Sequence, residues 1–107
     1  DLSRDKGVTR ISASCMAAVR SWIFLPQSVT FSTSADGSLF NSMPPVITSL
    51  PEDQRRRTEE YFSSFPEVTA RYVRVFARGL GVCPPWHAGA GSKAWLFCDE
   101  IIVEKSN

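Results

Sequence analysis

With 107 residues, 43% of them hydrophobic and 21% charged, the chain has the length and composition of one globular domain at most. Twelve basic residues against eleven acidic ones leave a formal net charge of +1, which excludes the basic footprint of a nucleic-acid binder. No apolar run approaches the roughly 20 residues of a membrane-spanning helix, so neither nucleic acid nor an inserted membrane is an expected partner.

The chain opens on Asp1 with no signal peptide, and reads as a trimmed piece of something larger; the missing leader carries no information on compartment. From Thr9 to Cys15, Thr9, Ile11, Ala13 and Cys15 alternate with Arg10, Ser12 and Ser14, the period-2 pattern of a half-buried strand. Trp22 follows in a loop beside Arg20 and Ser21, where Ile23 and Phe24 extend an apolar cluster. It reads as core or interface, with a second ligand platform as the alternative. After Pro26, Val29, Phe31 and Thr33 alternate with Ser28, Thr30 and Ser32, and the run stops at Ser34-Ala35-Asp36-Gly37. Asp-Gly after a β-rich run predicts a tight turn, because Gly tolerates positive φ and Asp bonds to nearby backbone. Phe40 then anchors the returning chain.

The stretch 41–69 admits two readings. Pro51-Glu52-Asp53 suits the first turn of a short helix, with acids at its positive end. Arg57 to Phe65 equally suits a strand with Tyr61 and Phe65 on one face. Prolines at 44, 45, 51 and 66 keep any regular element short. The triplet Arg55-Arg56-Arg57 lies among Glu52, Asp53, Glu59 and Glu60 and reads as a solvated face. Further on, Val73, Val75 and Ala77 share one strand face, with Tyr72, Arg74, Phe76 and Arg78 on the other. Trp95, Phe97, Ile101 and Val103 share a face broken by Asp99, and Trp95 reads as structural. Arg71–Arg78 and Trp95–Val103 are therefore expected as neighbouring or facing strands, with Val73, Val75 and Ile101 buried. Many short strands with Pro/Gly-rich connections predict an all-β fold, an antiparallel β-sandwich.

Between these two strands, Gly79 to Lys93 has no periodicity, and loops beyond about 12–15 residues in a compact domain are usually functional or disordered. Its centre carries Trp86 and His87, the only His. An indole can cover the apolar face of a pyranose while nearby polar groups meet the hydroxyls, so Trp86 is the expected platform. His87, Lys93 and Arg78 are the expected polar partners. The alternative is that Trp86 plugs the end of the sandwich and His87 bonds a loop carbonyl. Cys83 and His87 have the spacing of half a zinc site, but no further ligands accompany them. A Cys83–His87 nucleophile lacks an oxyanion hole and a thiol-activating charge, and Pro84-Pro85 suits a stiff loop better. Adjacent Asp99 and Glu100 point to opposite strand faces and cannot flank one glycosidic bond. No catalytic residue, metal or other cofactor is expected. Cys15, Cys83 and Cys98 lack the dense spacing of a disulfide scaffold, so three free thiols are expected.

Ser21-Trp22-Ile23-Phe24, Pro26, the strand Val29–Thr33, Ser34-x-Asp36-Gly37-x-x-Phe40, Ala70-Arg71-Tyr72-Val73-Arg74-Val75 and Asp99-Glu100-Ile101-x-Val103, in that order, resemble the discoidin-like domain, also called the coagulation-factor type C domain. Cys83-Pro84-x-Trp86-His87-x-Gly89-Ala90-Gly91-x-Lys93-Ala94-Trp95-Leu96-Phe97 looks like the version appended to the C-terminus of bacterial glycoside hydrolases such as β-N-acetylhexosaminidases. The resemblance runs from about Thr9 onward and implies a discoidin-like jelly roll whose opening strands are missing, so that residues 1–107 form one such domain or the C-terminal portion of one. It further implies a non-catalytic accessory module, periplasmic or extracellular, that binds a neutral or N-acetylated saccharide or braces the catalytic domain of the same parent chain. The ligand residues so implied are Trp86, His87, Lys93, Arg78 and Trp22.

Overall fold

The computed structural model describes residues 1–47 and 56–105, and the strands in it are all antiparallel, with no α-helix among the described residues. In chain order they are β1 (Lys6–Ala17), β2 (Ser28–Ser34), β3 (Asn41–Ser42), β4 (Val46–Ile47), β5 (Arg57–Ala70), β6 (Tyr72–Arg78) and β7 (Phe97–Glu104). A 3-10 turn, Val19–Ser21, follows β1. The helix expected from Pro51 lies outside the described residues. Of the two readings for the following segment, the strand is the one observed, and it continues through Pro66 to Ala70.

Two sheets form. In the first, β1 is central between β5 and β7; in the second, β2 is central, with β6 along one edge and the short β3 and β4 along the other. Pro66 is tolerated because it sits where the β1–β5 register slips between Val8↔Val68 and Arg10↔Ser64. A proline removes a ladder donor, and a bulge on an outer strand needs none at that point. Arg71 alone separates β5 from β6, and its N–H donates to the Ser34 carbonyl at 3.0 Å, so the chain passes from one sheet to the other in one residue.

The alternations in β1 and β2 build the core. Val8, Ile11, Ala13 and Cys15 from β1 meet Val29 and Phe31 from β2, all essentially inaccessible, with Tyr61 and Ala70 of β5 beside them. Val73, Val75 and Ala77 of β6 and Val103 of β7 pack against this cluster but are only partly buried. Burial of a side chain such as Phe31 or Ile11 stabilises by about 1.5–3 kcal/mol each.

Of the two arrangements expected for β6 and β7, hydrogen-bonded neighbours is not the one observed: each is an outer strand of a different sheet. Two expectations need correction. Ile101 is 60% exposed instead of buried, because the β1–β7 register slips between Ser12↔Ile102 and Ser14↔Asp99, and Glu100 takes a left-handed φ of 47° in the resulting bulge. The thiols are not all free. Cys15 and Cys98 stand directly opposite each other in the β1–β7 register and form a disulfide, leaving Cys83 as the free, buried cysteine.

Candidate functional site

The segment 79–93 folds back on itself at one end of the sandwich. Cys83 N–H donates to the Ser92 carbonyl at 2.7 Å, Gly91 N–H to the Cys83 carbonyl at 3.1 Å, and Ala94 N–H to the Gly81 carbonyl at 3.0 Å, closing the loop at its neck. Cys83 is buried with Val19 and Phe24 in a small second core that Leu80 and Ala94 complete, and its Sγ lies 3.8 Å from the Lys93 carbonyl. The thiol is thus a packing element facing a backbone acceptor.

His87 is buried at the loop's centre and both ring nitrogens are engaged. Gly89 N–H donates to Nδ1 at 2.9 Å, so Nδ1 bears a lone pair and the ring proton resides on Nε2, which donates to the Val19 carbonyl at 2.8 Å. That carbonyl also accepts the Trp22 N–H at 2.9 Å. One oxygen therefore ties the loop to the 3-10 turn. The carbonyl that His87 bonds belongs to the 3-10 turn and not to its own loop.

Three rings assemble edge-on around it. His87 is 5.2 Å from Phe24, 5.9 Å from Trp86 and 6.1 Å from Trp22 between ring centroids, with interplanar angles of 71°, 76° and 84°. Phe24 also meets Trp86 at 6.3 Å and 74°. Such T-shaped contacts align the positive edge of one ring with the negative face of another. Trp22 holds a left-handed φ of 63° at the end of the 3-10 turn, and its indole lies over Gly89, where any Cβ would stand 2.8 Å from the ring. Trp22 and Trp86 retain 39% and 37% exposure, so each is braced on one side and open on the other.

Trp95 departs from the structural role expected of it. It precedes β7 instead of lying within it, is 56% exposed, and has the Lys93 ammonium 4.5 Å from its ring centroid. Its backbone is fixed to the Trp22 segment, for its N–H donates to the Trp22 carbonyl at 2.9 Å and its carbonyl accepts from Phe24 N–H at 3.0 Å. Lys93 and Trp95 thus join the end of the sandwich that carries Trp22, His87 and Trp86. Arg78 stands exposed at the end of β6, where its carbonyl accepts the Gln27 N–H at 2.6 Å; it takes no part in the ring contacts around His87.

The sequence did not single out Phe24, whose ring touches both Trp86 and His87, nor the fit of Trp22 over Gly89. A Gly two residues beyond the His was the only signal for that fit. Among the described residues no three His, Cys, Asp or Glu side chains are grouped to hold a metal ion. A cavity of about 420 Å³ lies elsewhere, between the end of β2 and the second half of β5, lined by Thr33, Ser34, Asn41, Phe65, Glu67 and Thr69 among others. No protein-family model and no curated protein matches the sequence significantly.

With both His87 nitrogens taken, this end of the molecule presents apolar ring surface with the Lys93 ammonium over Trp95 and Arg20 in the neighbouring 3-10 turn. Such a surface can cover the apolar side of a neutral ligand, with cations close by to meet its polar groups.

Proposed function

We propose that the chain is a non-catalytic module that binds a neutral or N-acetylated saccharide on the surface formed by Trp22, Trp86 and Trp95. It acts as an accessory module of the discoidin-like kind beside the catalytic domain of a bacterial glycoside hydrolase, in the periplasm or outside the cell. The observation that carries this reading is the pair of half-open indoles, Trp22 and Trp86, held on either side of a buried His87. A ring fixed before the ligand arrives loses little rotamer freedom on binding, which favours affinity. His87 is accordingly a positioning residue, and Lys93 is the polar group that contacts the sugar. The Cys15–Cys98 disulfide supports the compartment, because such bonds persist where the surroundings are oxidising.

A second reading is a structural module that docks the same tryptophan end onto the catalytic domain. It is favoured by the edge-on ring contacts, which brace Trp22 and Trp86 while each residue is more than half covered. Calorimetric titration with chitooligosaccharides and neutral glycans separates the two. For a sugar platform, Trp86→Ala weakens binding by roughly ten- to a hundredfold, about 1–3 kcal/mol, without abolishing the thermal transition. Equal affinity in wild type and Trp86→Ala rejects the platform. No sugar binding in either protein, with a large drop in melting temperature in the variant, assigns Trp86 to the structural role.

A further inference from the structure

The two sheets are closed on one flank and open on the other. On the closed flank β5 runs beside β2 and β4, and the side chains of Phe65 and Val68 reach the core. Because β6 occupies one edge of β2 and β3 and β4 the other, β6 lies on the flank away from β5. In the first sheet β7 is likewise the strand away from β5. The open flank therefore carries two outer strands, one per sheet.

Residues on the inner face of this flank are poorly covered. Cys98 and Val103 of β7 stand opposite the buried Cys15 and Ile11 and so face inward, yet Cys98 is exposed and Val103 only partly buried. Ile101 in the adjoining bulge is 60% exposed. Val73, Val75 and Ala77, the inward residues of β6, are only partly buried as well. An apolar inner face beside two strand edges that no described residue pairs is a surface on which another chain can pair.

The outer faces of the two strands are complementary to each other and not to themselves. β6 presents Arg74, Phe76 and Arg78 at two-residue spacing, all exposed. β7 presents Asp99, Ile102 and Glu104 on the matching face, opposite Ser14, Ser12 and Arg10 of β1. Laid side by side in either direction, each pattern sets an apolar residue against an apolar residue between two cation–carboxylate pairs. Pairing β6 with β6, or β7 with β7, would instead set like charges opposite each other, which destabilises a sheet.

We propose that this flank is the interface through which two copies of the chain associate about a two-fold axis, β6 of each copy pairing with β7 of the other. Two identical β6–β7 seams extend each sheet across the axis and cover the inner faces of both copies, and a two-fold arrangement closes without leaving an edge free to propagate.

The test is the association state of the 107-residue chain, by sedimentation and light scattering over rising concentration. A dimer is expected, weakened by added salt because its pairs are partly solvated. Arg74→Glu with Arg78→Glu gives a monomer, Asp99→Lys with Glu104→Lys gives a monomer, and mixing the two variants restores a one-to-one dimer. Wild type that is monomeric throughout, open-ended oligomers, or a dimer indifferent to either charge reversal overturns the proposal. Should a variant fail to fold, wild-type hydrogen exchange decides. Protection of the β6 and β7 amides must rise with protein concentration while that of β5 does not, and concentration-independent protection of all three strands refutes the interface.

Discussion

Trp22 rests on Gly89 so closely that a Cβ built at that glycine would stand 2.8 Å from two carbons of the indole. Two segments far apart in sequence are thereby locked together, since Gly89 also donates its N–H to His87 while His87 and Trp22 share the Val19 carbonyl. Gly89→Ala should displace the Trp22 ring and cost about 1–3 kcal/mol, the usual range for an added methyl that a packed site cannot accept. Thermal melting and Trp fluorescence check it together. An unchanged melting temperature with an unchanged emission maximum would show that the ring does not sit there.

The Cys15–Cys98 disulfide joins positions 83 residues apart in sequence, so it constrains nearly the whole unfolded chain. Removing it with Cys15→Ser and Cys98→Ser should cost about 2–5 kcal/mol. Thiol titration of the denatured, unreduced protein should find one reactive cysteine, Cys83, and three after reduction. Three thiols before reduction would contradict the pairing.

Asp36 closes the turn after β2 by accepting the Ser38 N–H at 2.8 Å, the Leu39 N–H at 3.1 Å and the Ser34 hydroxyl at 3.1 Å. These bonds favour the carboxylate, the Ser38 and Leu39 amides most, and lower its pKa. With the folded pKa below the unfolded value of about 3.9, the turn's stabilisation is fully present above that value and is lost as pH falls through the lowered one. The Ser38 and Leu39 amide resonances should move in that acidic window, and in Asp36→Ala they should not. Flat profiles in wild type would mean the amides bond elsewhere.

Glu100 holds a φ of 47° in the β7 bulge, a conformation unfavourable for any residue with a Cβ. Glu100→Gly should raise stability by roughly 0.5–1 kcal/mol, and Glu100→Val should lower it by more, since branching at Cβ worsens the clash. Denaturant unfolding of the pair ranks them; a Val variant as stable as the Gly variant would remove the strain argument.

The parts of the fold legible in the sequence are those set by local pattern. The alternating runs Thr9–Cys15 and Ser28–Thr33 fall in β1 and β2, which pack on each other, and the Asp36-Gly37 turn carries its own chemistry, with Gly37 at a φ of 84°. What remained hidden depends on distant partners. The Cys15–Cys98 pair follows from a register between strands at opposite ends of the chain. The alternation of Phe97, Ile101 and Val103 in the sequence runs through Glu100, where the bulge resets it, so it does not report the face on which Ile101 lies. At the candidate site, the composition of the loop pointed to Trp86, His87 and Lys93, whereas Trp22 read first as core or interface. Composition could not reveal that the imidazole is fully occupied by backbone, or that Trp95 is open to solvent with Lys93 over its ring.

The central position of β1 sets the order in which the molecule can come together. Lys6 pairs with Ala70 and Ile11 with both Ser63 and Val103, so β1 finds one backbone neighbour only after β5 has been made and the other only when β7 has. Until then β2 can cover its apolar face, but its two ladders of amides lack these native partners. Closing such distant pairings is slow because the entropy of the intervening loops is lost before the contacts form. A segment built this way depends on what holds β1 during synthesis, and chaperone capture should fall sharply once the residues of β7 clear the exit tunnel.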